Sequence, residues 1–426
     1  MGCEQTLELL LSGCGIWLKR RQVPQPPWWG KALRRALALS FWLVGRTAFQ
    51  VRVRGLEHFT NEPSTLIVTN HKSDFDLLLL VPALYRAYGG QGPIGRLAFV
   101  AAERMFQPSY FSTYLLPRPR WLSRLLYPVN LSAALQGLHA YPIAHARRRK
   151  LGAHLRALLA LLGNAPLDVL FAQAPTDFLP GIFQGARIKD ALRWRHVHAL
   201  DVEYDFSIFK PELEKKLRER HVEGIFRDLS RFAALLDRGD PLFLAPEGDL
   251  SHDGSLGQLK AALPRLVGMT QAALKVLPVN FTYDTMTGGR ATAFVSIGPQ
   301  WDDVHSWSKA QLKTQVRQQI QSLGTITLPQ LAAWCWSERA ERGSIPLHDF
   351  KTCIARKAMQ LHQEGFLLDE RLLTPQAFER RWRQFMRYGR RKGLFKLRAG
   401  ELTHAPVAPW EYCQNEFQSI IGSLSA

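Results

Sequence analysis

The chain has 426 residues, of which 46% are hydrophobic and 11% aromatic, so it can bury at least one large core and is not a disordered basic tail. Lys and Arg number 55 against 36 Asp and Glu, which gives a formal net charge of +19 and favours polyanionic partners: nucleic acid, anionic lipid surfaces or phosphorylated ligands. The five cysteines are scattered and form no CxxC pair, which argues against a disulfide framework and against a zinc site.

The first 49 residues combine apolar runs with arginines and tryptophans. The runs 9–18 and 36–45 are each about half of the roughly 20 residues that a membrane-spanning helix needs. "PPWWGKALRRALALSFWLVGR" is typical of a helix lying in a membrane interface, and a helix packed on its own domain is the alternative. We predict membrane-associated amphipathic helices over 1–49 and a peripheral or monotopic location at the cytoplasmic face of a membrane. "MGCEQT" also matches the N-myristoylation pattern, which leaves lipidation of Gly2 and Cys3 open.

From residue 50 the hydrophobic period changes to that of strands. "TLIVT", "LAFVAA", "PLFLA", "KVLPVNFTY" and "TAFVSIG" are short apolar or β-branched runs, and helical patterns such as "LSRFAALLDRG" lie between them. This alternation predicts an α/β domain over 50–300 with a mixed, mostly parallel sheet flanked by helices.

Two further regions are predominantly helical in pattern. Residues from about 146 to 240 contain two long amphipathic helical patterns and are predicted to form an inserted helical subdomain. After residue 300 the β-type runs largely stop, so 301–426 is predicted to be a helical C-terminal domain, with a basic cluster from Arg380 to Lys396.

A polar corner follows the strand-type run "TLIVT". In "NHKSDFD" a helix beginning near Phe75 places Asp76 in its first turn and His71 on the loop before it, while Asp74 is a candidate cap. An imidazole there can fold back onto Asp76, which fixes the tautomer of the ring and stabilises its protonated form while the other ring nitrogen removes a proton from a hydroxyl. Alternatively, the aspartates only cap the helix and His71 is a surface residue.

A second polar turn follows another strand-type run. "PLFLAPEGDLSHDGSLGQLK" ends a buried strand at Pro246, Glu247 and Gly248 and continues to Lys260. Ligands bind at the carboxyl ends of strands in α/β sheets, so Glu247 is a candidate for holding a substrate hydroxyl or a cation.

Together these segments resemble the glycerolipid acyltransferase superfamily, which includes lysophosphatidate and glycerol-3-phosphate acyltransferases. "STLIVTNHKSDFDLLLL" is similar to its first motif, Asn-His-x4-Asp, at Asn70, His71 and Asp76; "FVAAERMF" to the start of its second motif region; "LFLAPEGDLSHDG" to its third; and "VLPVNFTY" to its fourth. The order of the four agrees over roughly residues 50–300.

The resemblance implies an O-acyltransferase of phospholipid biosynthesis or remodelling. A hydroxyl of a lysophospholipid or glycerol-phosphate-type acceptor, deprotonated by His71, would attack an acyl thioester, with Asp76 orienting His71. The donor would be acyl-CoA or acyl carrier protein, and the reaction would need no metal or bound cofactor. Anionic membrane lipids and a lysolipid acceptor are the further partners expected.

The acceptor remains open, because Asp249-Leu250 replaces the family's Thr-Arg after Pro-Glu-Gly. An acidic side chain beside the pocket would repel a phosphate. The predicted substrate-binding residues, which include cations that offer another route to a phosphate site, are Asn70, Lys72, Arg104, Pro246, Glu247, Gly248 and Lys260.

Two alternatives stay beside this interpretation. A catalytically lapsed acyltransferase-like protein would bind lipids without turnover. A nucleic-acid-binding protein is suggested by the charge, the basic C-terminal helices and a winged-helix pattern within 327–368, whereas no RNA-binding motif is present.

Overall fold

The structure is a computed structural model that describes residues 49–73, 76–88, 91–106, 132–143, 149–193, 196–302, 304–339, 343–404 and 408–424, together with residues 36, 39 and 47. The predicted N-terminal helices over 1–49 and the candidate cap Asp74 therefore lie outside the described residues, apart from residues 36, 39, 47 and 49. None of the helices within the described ranges is long and apolar enough to cross a membrane.

A seven-stranded sheet forms the centre of the molecule, in the order β1-β9-β8-β2-β7-β3-β4. Among the described strands β8 and β9 pair antiparallel, and the other neighbours in this sheet pair parallel. The prediction of an α/β fold with a mixed, mostly parallel sheet is confirmed. The strands are β1 (Phe49–Arg54), β2 (Thr65–Thr69), β3 (Ala98–Ala102), β4 (Ala140–Ile143), β7 (Leu242–Leu244), β8 (Lys275–Asp284) and β9 (Ala291–Ile297).

Helices cover both faces of this sheet, and each face has its own apolar core. The central strands β2 and β7 are buried along their whole length, as their continuous apolar sequences predict. The described helices are α1 (Asp76–Tyr88), α2 (Ser132–Gly137), α3 (Leu151–Leu162), α4 (Pro175–Phe178), α5 (Ile188–Ala191), α6 (Val197–Leu200), α7 (Pro211–Asp237), α8 (Ala262–Met269), α9 (Lys309–Ser322), α10 (Leu328–Ser337), α11 (Leu347–Gln363), α12 (Pro375–Lys392) and α13 (Ala408–Ile421).

Residues 149–217 pack around a third core, formed by α3, the short helices α4 to α6 and the start of α7. Two short strands, β5 (Arg149–Lys150) and β6 (Glu203–Tyr204), pair antiparallel at its border. Helix α7 then runs back along the main sheet and contacts β4 and β7. The inserted region is thus joined to the sheet through one long helix.

The C-terminal region holds a fourth core and more β-structure than its sequence pattern predicts. Strands β10 (Ile345–Pro346), β11 (Phe395–Arg398) and β12 (Glu401–His404) form a small antiparallel sheet beside α10 to α12. These strands have two to four residues, too few for an alternating pattern to stand out in the sequence. The order α10-β10-α11-α12-β11-β12 is that of a winged helix, with β11 and β12 as the hairpin.

Buried ion pairs attach this C-terminal region to the main sheet. Arg381 of α12 donates a hydrogen bond to Asp284 at the end of β8, and its Nε lies 3.8 Å from Asp369. Arg371 in turn binds both carboxylate oxygens of Asp369 and donates to Thr292 on β9. These four charged groups link the C-terminal core to the main sheet.

Candidate active site

Asp76, the first residue of α1, is buried and accepts hydrogen bonds at both oxygens. Oδ2 lies 3.1 Å from Nδ1 of His71 and accepts from the backbone N–H groups of Lys72 (2.9 Å) and Ser73 (3.1 Å). Oδ1 accepts from the hydroxyl of Tyr283 at 2.6 Å. These partners hold the carboxylate in one orientation.

His71 is the exposed member of this pair. With Asp76 as the acceptor, Nδ1 carries the hydrogen of the neutral ring and Nε2 has a free lone pair. The imidazole is 28% exposed, and within the described part of the chain Nε2 has no hydrogen-bond partner. The structure brings together the predicted His71 and Asp76 in the geometry that a general base requires.

Asn70 fixes the end of β2 against the neighbouring strand β8. Its side-chain amide accepts from the backbone N–H of Phe281 at 2.7 Å and donates to the carbonyl of the same residue at 2.9 Å. Strand β8 extends beyond the end of β2, which places Tyr283, two residues further along, beside Asp76. The two bonds to Phe281 show a structural role for Asn70, and its contact with a substrate stays a prediction.

Glu247 connects the two polar turns. Because β2 and β7 are parallel neighbours, their carboxyl ends meet, and Oε1 of Glu247 accepts from the backbone N–H of His71 at 2.9 Å. Oε2 accepts from the N–H of Gly257 at 2.6 Å. Burial raises the pKa of Glu247, and the two N–H donors oppose that rise. Both oxygens are thus engaged with the backbone, and contact of Glu247 with a substrate hydroxyl stays a prediction.

The turn around Glu247 depends on its neighbours. Gly248 has a φ of 77°, a conformation that glycine adopts without strain, and the carbonyl of Pro246 accepts from the N–H of Lys260 at 2.8 Å. Arg317 of α9 donates to the carbonyls of Leu256 and Gly257, both at 2.9 Å. Pro246 and Gly248 therefore shape the loop through their backbones.

Lys72 points away from solvent, towards α13. Its side chain is 4% exposed; Nζ donates to the carbonyl of Gly254, lies 3.3 Å from the carboxylate of Glu416 and sits 5.2 Å from the centre of the Tyr412 ring. A cavity of about 20 Å³, large enough for one water molecule, adjoins it. These partners leave little of the Lys72 charge for a substrate.

The other predicted cations differ in placement. Lys260 is exposed, with Nζ 3.8 Å from a carboxylate oxygen of Asp249, so it partly compensates the charge of that side chain. Arg104 belongs to the 3-10 turn Glu103–Phe106, but its side chain lies outside what the structure describes. Its predicted role in substrate binding stays a prediction.

Three residues that the sequence analysis did not single out support the site. Tyr283 binds Asp76, Arg317 binds the loop after Glu247, and Tyr412 of α13 packs over Lys72. Burial raises the pKa of both Tyr283 and Tyr412, so both hydroxyls stay protonated and can donate. The period-two alternation of β8, with Phe281 at the bond to Asn70, is a signal that would have found Tyr283.

Among the described residues, His, Cys, Asp and Glu form no group of three or more that could hold a metal ion.

Comparisons with known proteins found matches among solved structures. No protein-family model matches the sequence, and no curated protein matches it either. Four solved chains match in structure, among them the 1-acyl-sn-glycerophosphate (LPA) acyltransferase PlsC from Thermotoga maritima. That match is 15% identical with a TM-score of 0.33, and it covers 74% of this chain and 85% of that chain. A similarity of this degree does not identify an activity.

Proposed function

We propose that the protein is an O-acyltransferase that moves a fatty acyl group from an acyl thioester to a hydroxyl of a lysophospholipid or glycerol-phosphate-type acceptor. The observation that carries this proposal is the pair of an oriented, buried Asp76 and a partly exposed His71 at the carboxyl edge of the sheet. Within the described residues no serine, threonine or cysteine is hydrogen-bonded to Nε2 of His71, which supports a nucleophile supplied by the substrate.

In the proposed mechanism Nε2 of His71 removes the proton of the acceptor hydroxyl as its oxygen attacks the thioester carbonyl carbon. Asp76 stabilises the resulting imidazolium through Nδ1. The tetrahedral intermediate then expels the thiolate, which takes the proton from His71. The products are the ester and the free thiol, and the imidazole returns to its neutral form.

The donor in this proposal is acyl-CoA or acyl carrier protein, and the protein works at the cytoplasmic face of a membrane. Support comes from the net charge of +19, which favours anionic donors and lipids, and from the interfacial pattern of residues 26–46.

Labelled acyl-CoA and acyl carrier protein, offered with a panel of lysophospholipids and glycerol phosphates, test this function. We expect transfer by the wild type and a loss of about 10²-fold or more in kcat for His71→Ala, since general bases contribute that much. His362→Ala, on the exposed surface of α11, is the matched control and should keep full rate. Full activity of His71→Ala would show that His71 is not the base. Lysolipid binding without transfer from any donor would support the catalytically lapsed alternative.

A second candidate function, nucleic-acid binding, is favoured by the C-terminal region. The order of its elements is that of a winged helix, and α12 carries four exposed arginines. They are spaced by three and four residues and so share one face of the helix: Arg380, Arg383, Arg387 and Arg391. Such a stripe can contact successive phosphates. A winged-helix fold alone does not assign nucleic-acid binding, so the support for it comes from this charge pattern.

Fluorescence anisotropy of the full chain with a labelled DNA duplex, over a range of salt concentrations, tests this candidate. The double variant Arg383→Gln with Arg387→Gln should weaken binding of the DNA duplex. The control, Lys215→Gln with Lys216→Gln at exposed positions of α7, removes the same charge elsewhere and should weaken it less. Equal weakening in both double variants would show an effect of net charge alone.

A further inference from the structure

A cavity of about 370 Å³ lies between the inserted region and α7, outside the site at His71. Its volume is within the range of small-molecule sites. Pro142 of β4, His154 and Ala157 of α3, and Phe206 and Leu217 form much of its wall.

Four arginines line this cavity: Arg149, Arg220, Arg227 and Arg231. The acidic residue in the lining is Asp228, which lies 3.5 Å from Arg231. Arg220 and Arg227 have no carboxylate within 4 Å in the part of the chain that is described. The lining thus keeps an excess of positive charge, as expected of a site for an anion with more than one charge.

The arginines of α7 form one stripe. Residues 220, 227 and 231 are separated by seven and four positions, so their side chains share one face of the helix over about 16 Å. The same face carries Leu217 and His221, which also line the cavity. A row of guanidinium groups beside an apolar wall suits a ligand with phosphates and a flat apolar part.

His154 gives a second, independent indication of a ligand. It is 1% exposed, and its Nε2 donates to the carbonyl of Tyr204 at 2.9 Å. Burial lowers the pKa of His154 to about 4, so the ring is neutral and Nδ1 is an acceptor. This buried Nδ1 has no hydrogen-bond partner among the described residues. Phe206 packs edge-on against this ring, with 5.1 Å between the ring centres, and also lines the cavity.

The cavity and His71 lie towards the same edge of the sheet. Strands β2, β7, β3 and β4 are parallel neighbours, and His71 follows β2 while Pro142 is near the end of β4. Three strand spacings separate the two sites by about 14 Å across the sheet. A phosphate close to the acceptor hydroxyl cannot reach so far, whereas the phosphates of coenzyme A are separated from the thioester by the whole pantetheine arm.

We propose that this cavity binds the nucleotide end of a coenzyme A thioester, with its phosphates at the arginines of α7 and its base against the wall that Phe206 and His154 form together. An amino group of the base donates to Nδ1 of His154. This inference rests on the proposed acyltransferase function for the identity of the ligand. It adds a donor site that is distinct from the base at His71.

Isothermal titration of the full chain with coenzyme A, 4′-phosphopantetheine, inorganic pyrophosphate and glycerol 3-phosphate tests the proposal. We expect coenzyme A to bind most tightly, and Arg220→Gln with Arg227→Gln to weaken it at least tenfold. The control, Arg390→Gln with Lys392→Gln at the exposed end of α12, removes equal charge and should leave affinity unchanged. His154→Leu should reduce the preference for coenzyme A over pyrophosphate, with circular dichroism as the check on folding.

Several outcomes would overturn the donor site: equal affinity for 4′-phosphopantetheine, tighter binding of glycerol 3-phosphate, or the same loss in the control variant. The test is also separable from the proposed function. If the protein binds coenzyme A but transfers no acyl group, the proposed site stands and the proposed function is wrong. If the arginine variant transfers acyl groups with an unchanged KM for acyl-CoA, the proposed function stands and the proposed site is wrong.

Discussion

The corner at His71 and the contact between β8 and α12 both bury carboxylates, but they compensate the charge differently. Asp76 is surrounded by N–H and O–H dipoles and one imidazole, and that imidazole reaches solvent. Asp284 faces the guanidinium of Arg381, and both side chains are closed off from solvent. Dipoles stabilise a charge and leave its partner free to react, whereas a closed ion pair only holds two parts of the chain together.

The electrostatics of the closed pair follow from its burial. Burial raises the pKa of Asp284 and lowers that of Arg381, in each case against the attraction of the other group. Such a pair contributes little net stability, but loss of one partner leaves an uncompensated buried charge. The comparison therefore predicts changes in stability at Asp284 and changes in rate at Asp76.

The largest expected effect is at Arg381. Arg381→Met should lower the free energy of unfolding by about 3–5 kcal/mol, because Asp284 stays buried without its cation. Urea denaturation measures this, with Arg383→Met on the exposed face of the same helix as the control. The double variant with Asp284→Asn should regain most of the loss. A loss below 1 kcal/mol for Arg381→Met alone would show that the pair is not the link between the two cores.

Asp76→Asn should act on rate. The amide cannot stabilise the imidazolium and presents an N–H₂ group towards existing donors, so kcat of acyl transfer should fall about 10²-fold or more. Stopped assays with saturating acceptor measure kcat. If Asp76→Asn lowers the free energy of unfolding but the folded protein keeps a normal kcat, Asp76 has a purely structural role, like Asp284.

Glu247→Gln should lower stability by about 1–3 kcal/mol, because one of two backbone N–H donors meets an amide N–H₂. The folded-state pKa of Glu247 is raised, so the stability that this group contributes is present below its unfolded-state value and is lost as the pH rises through the folded-state value. The difference between wild type and variant should therefore be larger at pH 4 than at pH 7. Denaturation curves at both pH values decide; a larger difference at pH 7 would contradict the raised pKa.

The smallest effect is expected at Lys260. Its contact with Asp249 is exposed, so Lys260→Gln should change stability by less than about 0.5 kcal/mol. If Lys260 also binds a phosphorylated acceptor, KM for that acceptor rises while kcat and the KM of the donor stay the same. Unchanged KM values for every phosphorylated acceptor would remove Lys260 from the substrate-binding residues.

Local patterns predicted much of the fold and the contact between His71 and Asp76. The apolar runs at β2 and β7 are short and continuous, and His71 with Asp76 is contained within six residues, so one stretch of sequence carries both members. The short strands β10 to β12 escaped prediction because their pairing is decided by packing against α10 to α12. Sequence patterns thus predict best those contacts whose residues are close together in the chain.

The roles of Glu247 and Lys72 show the limit of such prediction. Substrate binding by both stays a prediction from the sequence, whereas the structure shows partners that the sequence did not indicate: the backbone of His71 for Glu247 and the side chain of Glu416 for Lys72. Those contacts join residues far apart in the chain, and only tertiary structure reveals them. The same holds for the arginines of α7: only the tertiary structure shows that they line a cavity together with residues of α3.

The close approach of α13 to the loop after Glu247 affects how the site is assembled during synthesis. A Cβ atom at Gly254 would lie 2.1 Å from the carbonyl oxygen of Tyr412, and Asn415 donates to the carbonyl of Asp253. Chains emerge from the ribosome N-terminus first, at about 5–20 residues per second. His71 and Glu247 therefore leave the ribosome many seconds before the helix that packs against their loops, and a nascent chain should carry the reactive pair without its finished surroundings.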